Sequence, residues 1–417
     1  MQLNQYIEKF RHSRNGKVLF ENFAYLTILQ VASYIFPFIT LPYLARVVGT
    51  EGFGEIAFAS AIMIWVQTIV DWGFNHSATR DVAANRSNHN KVSQTFSVVL
   101  WARMFLMLLS LLVLIILILT VPSFNNSKVC ILVTFIMIPG HILFPDWFFQ
   151  ALERMKYISI LNVVIKLFNT IAVFIFIKKQ SDYILQPLFF SLGFLISGIV
   201  SMYIITVRWK YKIYPPDMKA VFRCINESKE LFINTLMPNF YNSLTVVLLG
   251  IYSTSHINGI YDAGKKLVTI ANNFLQILSR VFFPYLIRNP QGHMSYAKAS
   301  LLVGFSVSAL LFLLANPIIN IFFGAEFKDS ILILRITSFA IFFVTLSDVY
   351  GKNYLIVHKK DKQLMYASVT ASVIGFMISF PLVYYYKAVG ASITYLVSSM
   401  LLGTITLFYA KKESSRS

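Results

Sequence analysis

The sequence predicts an all-α polytopic membrane protein of about twelve transmembrane helices, split six and six. Three observations predict it. Of 417 residues, 57% are hydrophobic and only 13% charged, with a mean hydropathy of +0.65; soluble domains carry about 25% charged residues. Apolar stretches recur along the whole chain, each near the roughly 20 residues a helix needs to cross a bilayer. Lysines and arginines alternate between rich and poor gaps, as the topology of an inserted chain requires. A transmembrane barrel would instead show alternating segments of about ten residues.

The expected spans lie near 22–45, 53–74, 96–121, 129–150, 157–177, 184–207, 231–252, 258–283, 297–318, 330–354, 364–386 and 389–410. Before them, Lys9, Arg11, Arg14 and Lys17 precede no apolar core of a signal peptide. Span one carries Gln30, Ser33, Pro37 and Thr40. In span three Arg103 follows Trp101, an interfacial residue type, so its head is expected to snorkel to the headgroups; Arg335 in span ten has the same expectation. His141 in span four, five residues before Asp146, is expected to be packed and neutral. Span five bears Asn162, Lys166 and Asn169, and span seven Asn234, Pro238, Asn242 and Thr245. Small polar groups in such segments mostly bond neighbouring helices, and the prolines at 37, 42, 139, 145, 238 and 381 allow bends. The turn before span two reads Gly52-Phe53-Gly54 and that before span eight Asn258-Gly259-Ile260-Tyr261, a faint internal echo.

A formal charge of +18 is a magnitude that nucleic-acid binders also reach, but its distribution and the lack of any reading motif point to a membrane. With residues 1–21 inside, alternate gaps hold 24 of the 36 Lys and Arg. The opposite gaps hold six (Arg46, Lys128, Lys178, Lys179, Lys328 and Lys387), and six lie inside spans (Arg103, Lys166, Lys265, Lys266, Arg280 and Arg335). This is the positive-inside rule, and it predicts both termini in the cytoplasm. The longest gap, 208–230, is basic and carries Pro215-Pro216. The expected organisation is therefore a cytoplasmic basic N-terminus (1–21), an N-terminal lobe (22–207), a basic cytoplasmic interlobe loop (208–230), a C-terminal lobe (231–410) and a cytoplasmic tail (411–417).

Span eight carries the most informative pattern. Asp262, Lys265, Thr269, Asn272, Gln276 and Arg280 follow one another at steps of three, four, three, four and four residues, which is one face of a helix. Charged groups at bilayer depth normally face a water-filled cavity or a partner helix. Lys265 and Lys266 lie one turn after Asp262, so self-neutralising pairs are the competing reading. The continuation through Thr269, Asn272 and Gln276 favours an aqueous wall suited to hydroxyl groups.

Other chemistries lack their residues. No Gly-x-x-x-x-Gly-Lys-Ser/Thr phosphate loop, no metal-ligand cluster and no Ser/His/Asp or paired-carboxylate constellation stands out, and no cofactor is expected. Cys130 and Cys224 are expected on opposite faces of the membrane, so no intramolecular disulfide is expected.

A family pattern runs through the same residues. Span one and its exit read Asn22-Phe23-Ala24-Tyr25, Gln30, then Pro37-Phe38-Ile39-Thr40-Leu41-Pro42-Tyr43-Leu44-Ala45-Arg46-Val47-Val48-Gly49. Gly52-Phe53-Gly54, Asp71-Trp72-Gly73-Phe74 and Ser77-Ala78-Thr79-Arg80-Asp81 follow, with Tyr261-Asp262-Ala263-Gly264-Lys265-Lys266, Phe323-Gly324-Ala325-Glu326-Phe327 and Leu334-Arg335 further on. The chain thus resembles the polysaccharide repeat-unit flippases of the O-antigen (Wzx) type, in the multidrug/oligosaccharidyl-lipid/polysaccharide superfamily. The resemblance covers most of the chain and is strongest over residues 20–105. It implies two six-helix lobes around a central cationic cavity that opens to either side by alternating access. The implied cargo is an undecaprenyl-pyrophosphate-linked oligosaccharide, moved from the cytoplasmic to the outer leaflet of the bacterial inner membrane. Membrane lipids, a polysaccharide polymerase, a chain-length regulator and a coupling ion, H+ or Na+, are the implied partners. The related lipid II flippases place cavity arginines at positions matching Arg46, Arg80 and Lys265, the last a lysine here, which contacts phosphate as a point charge. The expected cavity cations are thus Lys265, Lys266, Arg46, Lys166, Arg80 and Arg280. Asp262, Thr269, Asn272, Gln276, Asn162, Asn169, Gln30 and Asn242 are the expected polar lining. Two alternatives remain: a drug or cation antiporter of the same superfamily, which wants acidic cavity groups, and a polysaccharide polymerase, which wants a large outer loop. The embedded charge here is mainly positive and the outer loops are short, so a transporter without enzyme activity is expected.

Overall fold

The computed structural model describes residues 14–414. Helices α1 (Arg14–Asp71), α2 (Phe74–Ala84), α3 (His89–Thr120), α4 (Pro122–Asn126), α5 (Lys128–Phe135), α6 (Met137–Leu143), α7 (Asp146–Ala151), α8 (Met155–Phe176) and α9 (Leu185–Tyr203) come first. Then follow α10 (Met218–Glu227), α11 (Lys229–Leu236), α12 (Asn239–Asn242), α13 (Leu244–Tyr252), α14 (Ser255–Arg288), α15 (His293–Leu313), α16 (Ala315–Phe322), α17 (Ser330–Ser347) and α18 (Asp361–Ser414). The described residues contain no strand.

Among the described residues, eight helical stretches are long and apolar enough to cross a membrane. Two of them take in two expected spans each: Asp361–Glu413 holds 364–386 and 389–410, and Ile35–Ala84 holds 53–74 with the part of 22–45 from residue 35 onward. The first breaks at Gly49, whose φ of 67° is left-handed and suits a residue without Cβ. The second breaks at Lys387, φ 49°, a strained conformation for a lysine; its ammonium donates to the Tyr252 carbonyl at 2.7 Å. Two expected spans fall outside the eight, for different reasons. Residues 231–252 are cut into α11, α12 and α13 around Pro238, which lacks the N–H a continuous helix needs. Residues 258–283 lie within the 34-residue α14, where the polar stripe lowers the hydropathy.

Two compact units emerge. One joins the described residues of 1–41 to residues 66–235. Its helices α6 and α9 cross at glycines: a Cβ on Gly140 would sit 2.5 Å from the Leu195 nitrogen, and one on Gly198 2.7 Å from the Gly140 oxygen. Trp147, Phe148 and Phe149 are fully buried, with Phe96 4.7 Å from the Phe148 ring. Outward, α3 exposes Leu108, Leu112, Ile116 and Leu119, an apolar stripe that only lipid tolerates at this length.

The other unit joins residues 42–65 to 236–417. Ala57 and Ala61 of α1 pack with Leu249, Tyr261, Ile333, Val383 and Ala391. Phe53 meets Phe323 and Phe327 edge-on at 5.9 and 5.7 Å. Gly54 and Gly259, two of the three glycines of the sequence echo, lie inside helices rather than in turns, and they face each other. A Cβ on Gly259 would fall 3.1 Å from the Gly54 nitrogen and 2.1 Å from the Thr50 oxygen.

Candidate functional site: a buried lysine on the striped helix

The stripe of α14 begins at Asp262, about two turns after the helix cap, where the Thr254 hydroxyl accepts from the Ile257 N–H at 3.4 Å. Along it, Lys265 and Asn272 are buried, Asp262 and Gln276 are half-buried, and Thr269 and Arg280 are exposed. The periodicity therefore runs along one edge of a buried face rather than down the middle of it.

Lys265 is 8% exposed, and its ammonium donates to the main-chain carbonyl of Asn242. It also lies 4.8 Å over the Tyr395 ring and 5.5 Å from the Tyr261 ring centre. These partners are neutral, so they hold the cation through a carbonyl dipole and two ring faces without cancelling its charge. Tyr395 is fixed in turn: its hydroxyl accepts from Asn272 Nδ2 at 3.2 Å. Tyr261 lies 3.3 Å from the Thr245 hydroxyl. Among the described residues, Asn272 Oδ1 is buried without a hydrogen-bond partner beside this cage. Lys266 behaves differently. It is bonded to Asp262 at 3.2 Å one turn back, the pair that the spacing allowed, and lies 5.7 Å from the Phe53 ring. Thr269 donates to the Lys265 carbonyl at 3.0 Å, a local helix bond.

The structure brings together Lys265, Asn242 and Asn272, and adds Tyr395, Tyr261 and Thr245. Of these additions Tyr395 was not singled out from the sequence, and Tyr261 stood out only within the echo and the family pattern, because an aromatic in an apolar run carries no positional signal. Arg46 is exposed and donates to the Ile321 carbonyl near the end of α16, where a cation favours the helix dipole. Arg80 is 77% exposed and lies 3.5 Å from its neighbour Asp81. Lys166 is half-buried on α8 with Asn162, whose amide donates to the Ile158 carbonyl at 2.9 Å, and with Asn169, whose Oδ1 is buried without a partner among the described residues. The Gln30 side chain lies outside the described residues.

A second ionic cluster sits in the other unit, and it corrects the snorkelling expected of Arg103. The Arg103 side chain is 1% exposed, with Nη2 3.1 Å from Asp71 Oδ1 and 2.5 Å from Asn75 Oδ1. His141 Nε2 meets the same Asp71 oxygen at 3.0 Å. Trp101, the supposed interfacial neighbour, instead donates its indole N–H to the Tyr214 carbonyl at 2.9 Å. Buried charge is held here by pairing.

The described residues contain no group of three or more His, Cys, Asp or Glu able to hold a metal. Both cysteines are free thiols. Burial, with Glu227 and Asp81 nearby, pushes the Cys224 thiol up to about 11, so it stays protonated and unreactive at neutral pH.

With this geometry in view, comparisons with known proteins converge. A protein of Escherichia coli (strain K12) named "Putative O-antigen transporter" is 27% identical over 408 residues, covering 96% of this chain and 98% of its own. Among solved structures, the lipid II flippase MurJ in an inward closed conformation aligns with a TM-score of 0.72 at 13% identity, over 92% of this chain and 87% of MurJ. An inward-facing multidrug resistance MATE family transporter of the MOP superfamily aligns at 0.64 and 12% identity, over 95% and 98%. These likenesses establish the fold: an all-α multi-pass membrane protein built like those transporters. The family described as "Polysaccharide biosynthesis protein" matches residues 19–290, and the chain belongs to that family.

Proposed function

We propose that this protein is a flippase that carries undecaprenyl-pyrophosphate-linked oligosaccharide repeat units from the cytoplasmic to the outer leaflet of the inner membrane, with both termini cytoplasmic, for O-antigen or a related surface polysaccharide. The observation that carries this reading is Lys265: a buried ammonium on a membrane-depth helix, held by neutral groups, retains its attraction for a diphosphate of roughly two negative charges. Asn272 Oδ1 offers a hydrogen-bond acceptor beside it for a sugar hydroxyl. End-to-end similarity to an O-antigen transporter name supports the same cargo class. Alternating exposure of the α14 stripe to the two membrane faces needs no ATP. Outward movement of the anion down a potential negative inside releases roughly 2.3 kcal/mol per charge per 100 mV.

The test is the fate of lipid-linked glycan in cells lacking the gene. The expected result is loss of surface polymer with single repeat units trapped on the cytoplasmic face, restored by the intact gene and not by Lys265→Ala at equal membrane level. Single units accumulating on the outer face would point to a polymerase instead, and unchanged glycan with altered drug sensitivity to an antiporter. Normal transport by Lys265→Ala removes that residue from the site.

A further inference from the structure

The segment 208–230, expected as a loop between lobes, is clamped to one unit along its whole length. Ser93, Ser97 and Trp101 stand at steps of four on one face of α3. Ser93 Oγ accepts from the Lys212 N–H at 3.2 Å and Ser97 Oγ from the Tyr214 N–H at 2.9 Å, while Trp101 donates to the Tyr214 carbonyl at 2.9 Å. Tyr211 stacks on His89 at 4.1 Å, and Trp209 meets Phe149 and Tyr157 at 5.6 and 5.2 Å. Asp217 then caps α10 by accepting from the Lys219 and Ala220 N–H groups. On the far side Trp72 donates to the Ile225 carbonyl at 2.9 Å, and Ser77 and Ser228 hydroxyls meet at 2.9 Å.

The clamp leaves three rows on α10. Val221 is fully buried against the unit. Met218 and Phe222, one turn apart, are 49% and 52% exposed, and Ile213 in the segment before α10 is 41% exposed. Lys219 and Arg223, also one turn apart, are exposed next to that apolar row. Arg208, Lys210, Lys212 and Lys229 are exposed as well, against Asp217, Glu227 and Glu230. Among the described residues none of the cations of 208–230 makes an ion pair with a carboxylate.

What lies over this face follows from its continuity. The Phe222 ring meets Phe105 of α3 at 5.4 Å. One turn beyond Phe105, α3 exposes Leu108, Leu109 and Leu112, the start of its lipid-facing stripe. The apolar row of α10 is thus the end of a surface that lipid tails cover, and the adjoining cations stand at headgroup level. A helix with such rows lies in the membrane interface, and unpaired Lys and Arg at that depth attract anionic lipids.

We propose that α10 and the basic segment before it form a docking surface for anionic phospholipid headgroups, with Met218 and Phe222 in the acyl boundary and Lys210, Lys212, Lys219 and Arg223 on the headgroup phosphates. This surface is separate from the Lys265 site and requires no transport to be observed, so its failure and that of the flippase reading are distinguishable.

The experiment uses the full chain, with Cys130→Ser and Cys224→Ser and a fluorophore on Met218→Cys, in vesicles of phosphatidylcholine with or without phosphatidylglycerol. Shallow brominated phosphatidylglycerol is expected to quench the probe several-fold more strongly than the matching phosphatidylcholine. Replacing Lys210, Lys212, Lys219 and Arg223 by Gln should lower apparent affinity for the anionic lipid by about fivefold for each cation removed. Raising salt from about 0.1 M to about 1 M, which shortens the screening length from about 10 Å to about 3 Å, should erase the preference without any substitution. That salt arm decides the matter if the fourfold variant fails to insert. Equal quenching by the two lipids overturns the proposal, as does a preference that survives both the substitutions and the salt. Quenching by aqueous iodide but by neither lipid would show a face turned to water and a soluble partner instead.

Discussion

Arg103 and Lys265 are both buried cations, and they meet the cost of desolvation in opposite ways. Arg103 has a carboxylate at 3.1 Å and an amide oxygen at 2.5 Å, while its Nε and Nη1 are buried without partners among the described residues. Its burial therefore depends on Asp71. Asp71→Asn should destabilise the protein by about 3–5 kcal/mol, the usual effect of stranding one member of a buried ion pair, seen as a lower melting temperature in detergent. The double variant Asp71→Asn with Arg103→Met should recover most of that loss, because no charge is then left unpaired. An unchanged melt for Asp71→Asn would mean that the ion pair contributes nothing. The sequence disclosed the Lys265 position because its helical partners lie within the same 19-residue stretch, Asp262 to Arg280, and repeat with its period. It hid the Arg103 pairing because Asp71 is on another helix, and no local spacing reports which helices pack together.

At the scale of elements, the break and the crossing are set by different glycines. The sequence located a turn at Gly52-Phe53-Gly54, but the chain turns earlier, at Gly49, and Gly54 is spent on letting α1 and α14 touch. A Cβ on Gly54 would stand 1.7 Å from the Ser255 carbonyl oxygen, which is backbone and has no rotamer to yield. Gly54→Ala should therefore push the start of α14 away, costing at least the roughly 1–3 kcal/mol typical of overpacking. It should also lower the yield of monodisperse protein on size exclusion. Gly292→Ala is the control, since its nearest neighbour is the far end of the Tyr285 side chain at 3.1 Å. Equal yields for the two variants would show that the α1–α14 contact relaxes freely. Span count was legible from length and hydropathy for most helices. It was least legible where Pro238 divides residues 231–252 and where the α14 stripe trades hydropathy for polar groups, which is also where the candidate site lies.

At the scale of the whole molecule, charge orients the chain. The alternation of 24 Lys and Arg against six across successive gaps is independent of any side-chain contact, because it acts when each segment is inserted, before the helices pack. It predicts a side for every gap at once, so a single error in the span list would invert every expectation after it. Residues 231–252 are the place to look, since α11, α12 and α13 there are short. If they together fail to cross, all gaps after them change side, and the 284–298, 352–363 and 411–417 segments with their nine Lys and Arg would face outward. Alkaline phosphatase joined after residue 125 or 180 should be active, and joined after residue 156 or 292 inactive. Green fluorescent protein at the same places should give the reverse. The fusion after 292 carries the decision: inactive phosphatase there requires an even number of crossings between 156 and 292. Activity there would remove one crossing, place the start of α15 outside, and break the charge rule in the half of the chain that holds Lys265.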